Sequence, residues 1–213
     1  MNAIEKVART ILSTASIRPE VGLLCLLLLN TGSAMAAERD MTRRHSVGTS
    51  AFMLVDLFPG SPQYILLDYG YRLTKDDVVM AEVITWKYPA PLGIPLDSSG
   101  PDYPGFVKSY GAGLAYQRFV WEGLFAKVHA AYLRTHYTIA GADRTQQGNQ
   151  LFLQLRLGYH LEFPVLGERL YLEPSVAATT WPINTNVPAA FAALDKRYPS
   201  YGLEPGLNFG MVF

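Results

Sequence analysis

Residues 150–163 change character at every second position. Leu151, Leu153, Leu155, Leu157, Tyr159, Leu161 and Phe163 share one parity; Gln150, Gln154, Arg156, Gly158, His160 and Glu162 share the other, with Phe152 the one exception. A helix of 3.6 residues per turn scatters two such sets around its circumference, whereas a strand sorts them onto two faces. The same alternation recurs at about 46–58, 63–73, 78–88, 106–121, 124–138, 169–181 and 201–213, giving eight predicted strands. Residues 133–138 blur the phase, which predicts a bulge there.

One parity is apolar along its length: Val47, Ala51, Met53 and Val55; Ile65, Leu67, Tyr69 and Tyr71; Val79, Ala81 and Val83; Leu170, Leu172 and Val176; Leu203, Leu207, Phe209, Met211 and Phe213. The other carries Asp68, Arg72, Glu82, Lys127, His129, Glu173, Glu204 and Asn208. Beyond residue 30 no apolar run approaches the roughly 20 residues a spanning helix needs. If this chain crosses a membrane it does so with strands, because only helices and closed barrels satisfy every backbone group in lipid.

The first 36 residues have the layout of an export signal. Lys6, Arg9 and Arg18 are its basic part, Val21 to Leu29 its apolar part, and Ala34-Met35-Ala36 its small-residue cleavage site. The apolar part is too short to span and is interrupted by Asn30, Thr31 and Gly32. Cys25, the chain's single cysteine, follows Leu23 and Leu24 rather than the small residues of a lipoprotein signal. Residues 37–213 therefore form one cysteine-free domain, with no disulfide framework and no thiol chemistry. Zero formal net charge gives no basic field for nucleic acid.

Links between the strands alternate in length. Thr74–Asp77, Glu122–Gly123 and Pro164–Glu168 are short, while Pro89–Gly105, Ile139–Asn149 and Asn184–Ser200 are long; the link around Pro59-Gly60-Ser61-Pro62 breaks the trend. Short turns at one end and long loops at the other are the habit of membrane barrels. A soluble lipocalin-like barrel has the same strand count with its apolar face inward. Glycine argues against it: Gly70, Gly111, Gly113, Gly158, Gly202, Gly206 and Gly210 all share the polar parity. Glycine gains nothing on a solvated face but makes room for large side chains inside an eight-stranded barrel. The fold class expected is thus all-β, an eight-stranded antiparallel up-and-down transmembrane barrel with its polar face inward.

Two details agree. Tyr69, Tyr71, Tyr116, Tyr159, Phe163 and Phe213 belong to the apolar face near the short turns, where an aromatic girdle sits. The alternating Phe209, Met211 and Phe213 resemble the C-terminal signature read by the outer-membrane assembly machinery. With these residues in view, 45–213 resembles the small outer-membrane barrels typified by OmpX and the OmpA transmembrane domain. Tyr69-Gly70-Tyr71-Arg72-Leu73, Trp181-Pro182-Ile183-Asn184-Thr185-Asn186 and Glu204-Pro205-Gly206-Leu207-Asn208 look like stretches of an uncharacterised family of such barrels. The resemblance implies an outer-membrane monomer in contact with lipid and lipopolysaccharide, and it implies no activity.

Asp68, Arg72, Glu82, Lys127, His129, Arg156, His160, Glu162, Glu173 and Glu204 are the expected polar network of the lumen. The favoured role is a paired structural plug, since a lone buried ion is costly. Pairing of 124–138 with 150–163 would set His129 opposite His160 and Lys127 opposite Glu162. That geometry leaves open a metal pair with Glu173, or a proton-linked gate, although two histidines make a thin ligand set. A lipid A acyl hydrolase or transferase is a further alternative, with His136, Ser109 and Glu204 as candidates at the loop end. No catalytic residue, metal or cofactor is assigned. Lys87, Lys108, Arg134 and Arg144 are candidates for lipopolysaccharide phosphates, to which arginine is suited by bidentate bonding. Lys196 and Arg197 share their region, and residues 187–197 have the spacing of a short helix that caps the mouth or forms an adhesive surface.

Overall fold

The computed structural model describes residues 41–57, 63–90, 103–141, 145–165, 167–196 and 201–213. The export signal expected over 1–36 lies outside them, as does Arg144. The strands are β1 (His45–Ser50), β2 (Gln63–Arg72), β3 (Asp77–Tyr88), β4 (Gly105–Trp121), β5 (Leu124–Ile139), β6 (Thr145–Tyr159), β7 (Leu161–Val165), β8 (Glu168–Asn184) and β9 (Tyr201–Val212). A 3-10 helix spans Ala51–Leu57, and a short helix α1 spans Ala189–Asp195.

All neighbours pair antiparallel, in the order β6-β5-β4-β3-β2-β1-β9-β8-β7, and β6 also pairs with β8. Strands β6 and β7 are one wall element interrupted at His160, whose backbone N–H donates to the Gly123 carbonyl instead. Counted so, the sheet is a closed barrel of eight strands. Closure leaves almost no exposed sheet edge, which is what lipid requires of a spanning wall.

Burial follows the parity read from the sequence. In β5 the buried or half-buried residues Phe125, Lys127, His129, Ala131, Leu133, Thr135 and Tyr137 alternate with exposed Leu124, Val128, Ala130, Tyr132 and Arg134. The large exposed hydrophobics of the wall, among them Ile65, Leu67, Val83, Leu114, Val128, Leu155, Leu157, Val176 and Leu203, all face outward. The six girdle aromatics share that outer face, with Trp121 added beside the Glu122–Gly123 turn.

Several expectations are corrected. The first strand ends at Ser50, not near 58. From Ala51 to Leu57 apolar residues fill both parities, so an extended chain would push Phe52 and Leu54 into a polar lumen; the segment coils into the 3-10 helix instead. The register of β4 with β5 runs unbroken through 133–138, and no bulge lies there. What blurs the pattern is chemistry rather than phase: Leu133 is apolar but inward, and Arg134 is charged but outward. The irregularities fall between Phe119 and Trp121, where β4 turns into β5, and between Leu151 and Leu153 opposite β8. The link after β5 is also shorter than expected, because β6 already begins at Thr145.

The lumen is filled in layers. An apolar cluster of Val78, Met80, Ala115, Phe119 and Phe125 lies toward the turn end, and Ala131, Leu133 and Phe152 form a second with Ile84 and Trp181. At the loop end Tyr88, Tyr103, Val107, Tyr137 and Phe191 form a third. Phe191 is the one fully enclosed residue of α1, so α1 caps the mouth rather than standing out as an adhesive surface. Glycines supply the room for these layers: a Cβ at Gly113 would press on the His129 ring, and one at Gly206 would overlap the Arg156 guanidinium.

Gly158 gives the sharpest test of this packing. A Cβ there would stand 2.6 Å from Phe125 Cζ, 2.7 Å from Ser175 Cβ and 2.8 Å from the Pro174 carbonyl oxygen. Gly158→Ala is expected to cost about 1–3 kcal/mol in stability, read from urea unfolding of the refolded barrel in detergent micelles.

Candidate functional site

Three polar regions stand out: an ionic network in the lumen, a clasp at the mouth, and a basic row on the outer wall. The lumen network is centred on Glu173, which is 2% exposed. Its carboxylate accepts from Gln117 Nε2 at 3.0 Å, lies 2.8 Å from His160 Nδ1, and accepts from Lys127 Nζ at 3.5 Å. The other ring nitrogen of His160 lies 3.1 Å from Glu162 Oε1. With a carboxylate at each nitrogen, His160 can satisfy both only by donating from both. Glu162 is also approached by Arg72 and Arg169, each at 3.5 Å. A second pair lies higher, where His129 Nε2 is 2.6 Å from Glu82 Oε2. Asp68 sits beside Glu82 in the β2–β3 register. Glu173, Glu162 and Glu82 thus each have a cation or a donor beside them, as desolvation demands.

The expected cross-strand partners are not the observed ones. The register sets His129 opposite Gln154 and Lys127 opposite Arg156, because β5 pairs with β6 rather than with the β7 end of that strand. His129 and His160 therefore serve different carboxylates and make no metal pair. Among the described residues no group of three His, Cys, Asp or Glu side chains is placed to hold a metal ion.

The residues weighed for acyl transfer do not meet either. His136 shares the outward parity of β5, whereas Ser109 is buried on the inward face of β4 at 1% exposure. Glu204 faces the lumen from β9, where Thr179 Oγ1 donates to it at 3.0 Å. The wall itself separates the imidazole from the other two. The polar contact His136 does make is with Tyr110 Oη, 3.2 Å away on the same outer face.

The mouth clasp was not foreseen. The Tyr103 hydroxyl donates to Asp195 at the end of α1, and the Tyr137 hydroxyl donates to Asn184 Oδ1 at 2.8 Å. Phe191 sits between the two tyrosine rings, with centroids 4.6 Å from Tyr103 and 5.6 Å from Tyr137. Burial raises the Asp195 carboxyl above its ordinary range, more than the Tyr103 bond lowers it, and the Tyr103 hydroxyl is itself pushed up by burial.

On the outer wall, three of the four predicted lipopolysaccharide contacts come together. Lys87, Lys108, His136 and Gln147 occupy one cross-strand row over β3–β6, and Tyr110, Arg134 and Asn149 occupy the row beneath. Lys87 Nζ lies 4.4 Å from the centre of the Phe106 ring, and Arg134 Nη2 donates to Gln147 Oε1 at 2.6 Å. Among the described residues no carboxylate pairs with Lys87, Lys108 or Arg134.

The distance from this row to the opposite rim is informative. Along β4 the outward residues run Lys108, Tyr110, Ala112, Leu114, Tyr116, Arg118, and Arg118 is bonded at 2.8 Å to Asp77 at the start of β3. Ten residues of strand span about 33 Å, and a tilt of roughly 40° leaves about 25 Å of height, the thickness of a barrel's apolar band. Charged groups thus bound an apolar belt of membrane dimensions.

A closed barrel with an apolar belt outside and paired charges inside defines a small transmembrane β-barrel. Solved structures similar to this chain include Neisserial surface protein A (NspA), 13% identical, with 80% of this chain and 95% of that chain covered and a TM-score of 0.39. The N-terminal β-barrel domain of Pseudomonas aeruginosa OprF is 15% identical, with 80% and 98% covered and a TM-score of 0.36. Neither a protein-family model nor a curated protein sequence matches the chain. The class rests on the wall and lumen described above, not on these likenesses.

Two outcomes test the site. Glu173→Ala strands Lys127 in the lumen and leaves His160 only Glu162, and is expected to cost about 3–5 kcal/mol, whereas Glu204→Ala, half-exposed, costs about 1 kcal/mol; urea midpoints in micelles measure both. At the mouth, the Asp195 carboxyl binds its proton more tightly folded than unfolded. Its contribution is therefore present at pH below the unfolded carboxylate range and is lost as pH rises through the raised folded value. Amide exchange in α1 should be slower at pH 4 than at pH 7 after correction for the intrinsic rate, and Asp195→Asn should abolish that difference.

Proposed function

We propose that this chain is a non-enzymatic outer-membrane barrel that holds lipopolysaccharide at its loop end, with residues 1–36 serving as the export signal of a Gram-negative envelope. One observation carries the reading: Lys87, Lys108 and Arg134 converge on the outer wall, in adjoining rows and about 25 Å above the opposite charged rim. Cations on an outward face at that height meet the headgroup layer, not acyl chains. Phosphates attached to the glucosamine of lipid A are the dense anions of that layer, and arginine binds such groups through two parallel N–H bonds.

The row serves envelope integrity by bridging the barrel to the polyanionic leaflet around it. The Phe209, Met211 and Phe213 series, outward on β9 with its terminal ring stacked on His45 at 5.8 Å, supports the reading of a substrate for the barrel assembly machinery. A plugged monomer with its mouth capped by α1 fits this role better than a pore.

The test is the triple variant Lys87→Gln/Lys108→Gln/Arg134→Gln, refolded in micelles and titrated with purified lipopolysaccharide. Affinity is expected to fall at least tenfold, with a weaker salt dependence than the parent barrel shows. Equal affinity for parent and variant at low salt would discard the proposal.

A further inference from the structure

The wall is not uniform around its circumference. Strand β1 ends at Ser50, so it covers β2 only from Asp68 to Tyr71 and β9 only from Asn208 to Val212. Toward the loop end, residues 63–67 of β2 and 201–207 of β9 have no strand between them. The 3-10 helix Ala51–Leu57 occupies that interval and touches both. On the β2 side its neighbourhood replaces the missing ladder with side chains: Asp56 accepts from the Tyr64 N–H at 2.9 Å, and Thr49 Oγ1 donates to the Leu66 carbonyl at 2.5 Å. On the β9 side no such replacement occurs among the described residues, and Pro205 has no N–H to offer there. A seam thus runs through the outer-leaflet half of the wall.

The lumen behind this seam differs from the rest. Gln154, Arg156, Ser175 and Glu204 face inward yet are half-exposed, whereas Ser109, Gln117, Lys127 and Thr135 across the barrel are buried. Among the described residues Arg156 is the one lumen cation without a carboxylate at ion-pair distance. Its guanidinium donates to neutral groups: Gln154 Oε1 at 3.1 and 2.9 Å and Ser175 Oγ at 2.7 Å. Reaching past β8, it lies against Gly206, within the seam stretch of β9. Gly202 leaves the path beside it clear, since a Cβ there would meet only Thr179 Oγ1, at 3.4 Å. Outside, the seam is lined by Ile65, Leu67, Leu203 and Leu57, which are 52%, 50%, 78% and 78% exposed.

We propose that the seam between β2 and β9 is a lateral binding site for a single-headed anionic amphiphile, its headgroup on Arg156 and its alkyl chain along Leu67, Leu203 and the 3-10 helix. A carboxylate or phosphate gives Arg156 a direct ion pair, where Glu173, Glu204 and Glu82 act on it only from beyond ion-pair distance. The apolar chain stays in the leaflet, so the ligand needs no wide mouth and leaves the α1 cap in place. This site is separate from the Lys87–Lys108–Arg134 row, which lies on β3–β5.

The test is calorimetric titration of the full refolded barrel, in non-ionic micelles, with dodecanoate and with dodecyl phosphate; inorganic phosphate and dodecanol serve as controls. Saturable binding of at least one alkyl anion is expected, and which of the two binds distinguishes a fatty carboxylate from a lipid phosphate. Arg156→Gln is expected to weaken it at least tenfold, with Arg156→Lys retaining most of it. Gly202→Leu, which fills the path without touching the arginine, is expected to weaken it similarly. The Lys87/Lys108/Arg134 triple variant should bind as the parent does. Binding of neither anion, binding unchanged in Arg156→Gln, or inorganic phosphate binding as well as the amphiphile overturns the proposal. Should Arg156→Gln fail to give the heat-modifiable folded band on gels, Gly202→Leu decides alone, and undiminished binding in it is the overturning result.

Discussion

Backbone hydrogen bonding in hydrocarbon is the constraint from which the rest of this structure follows. Every N–H and C=O of the wall must find a partner within the protein, because lipid offers none. That need closes the sheet through the β6–β8 pairing and through the short β1 set between β2 and β9. It also accounts for the details at His160, whose N–H turns to the Gly123 carbonyl where the strand breaks, and at Asp56 and Thr49, whose side chains bond the β2 edge that β1 leaves uncovered. The wall is continuous where strands suffice, and along the β2 edge it is patched by side chains where they do not.

Closure then dictates the interior. Eight strands enclose a space that side chains can fill, so each inward residue must match its neighbours in volume and charge. Glycine and aromatic positions are matched across strands: Gly48 and Gly210 leave space for Tyr171, and Gly158 for Phe125. Charges are matched in the same way, with Glu173 shared among Lys127, His160 and Gln117 and Glu162 shared among His160, Arg72 and Arg169. Sharing one acid among several cations fixes where β2, β5, β7 and β8 stand relative to one another, because moving any of them by two residues would unpair an ion. Apolar layers above this network shield it from the loop end.

Two-residue alternation made the strands, the inward parity and the ten lumen residues legible, since each depends only on which side of a strand a residue occupies. The pairing of those residues was not legible, because it depends on register. His129 and His160 seemed partners only if β5 met the β7 end of its neighbour, and the break at His160 directs β5 onto β6. The end of β1 was hidden for a different reason: Ala51, Met53 and Leu57 keep an apolar parity, and only the added Phe52 and Leu54 show that the run cannot be a wall strand. Leu133 and Phe152 reverse the expected chemistry because the lumen needs apolar layers as well as ions. In sequence Lys87, Lys108 and Arg134 are separate rim cations; that they share two adjoining rows is a consequence of the β3–β4–β5 register, which no single strand reveals.

The two sides of the barrel differ for one reason, the length of the paired strands. Strands β3, β4 and β5 pair over 12 and 16 residue steps, bury their inward polar groups fully, and carry charged side chains outward only at the rims. Such a wall can meet lipid headgroups at its edge but admits nothing through it. Around β1 the ladder covers four and five residue steps, and beyond its end Gln154, Arg156, Ser175 and Glu204 keep contact with solvent. An unpaired cation is tolerable there and nowhere else in the lumen, because partial hydration lowers the desolvation cost that Lys127 and His160 meet with carboxylates. The placement of Arg156 on the short-strand side is therefore a consequence of where the first strand stops, and the same stopping point exposes it toward the leaflet.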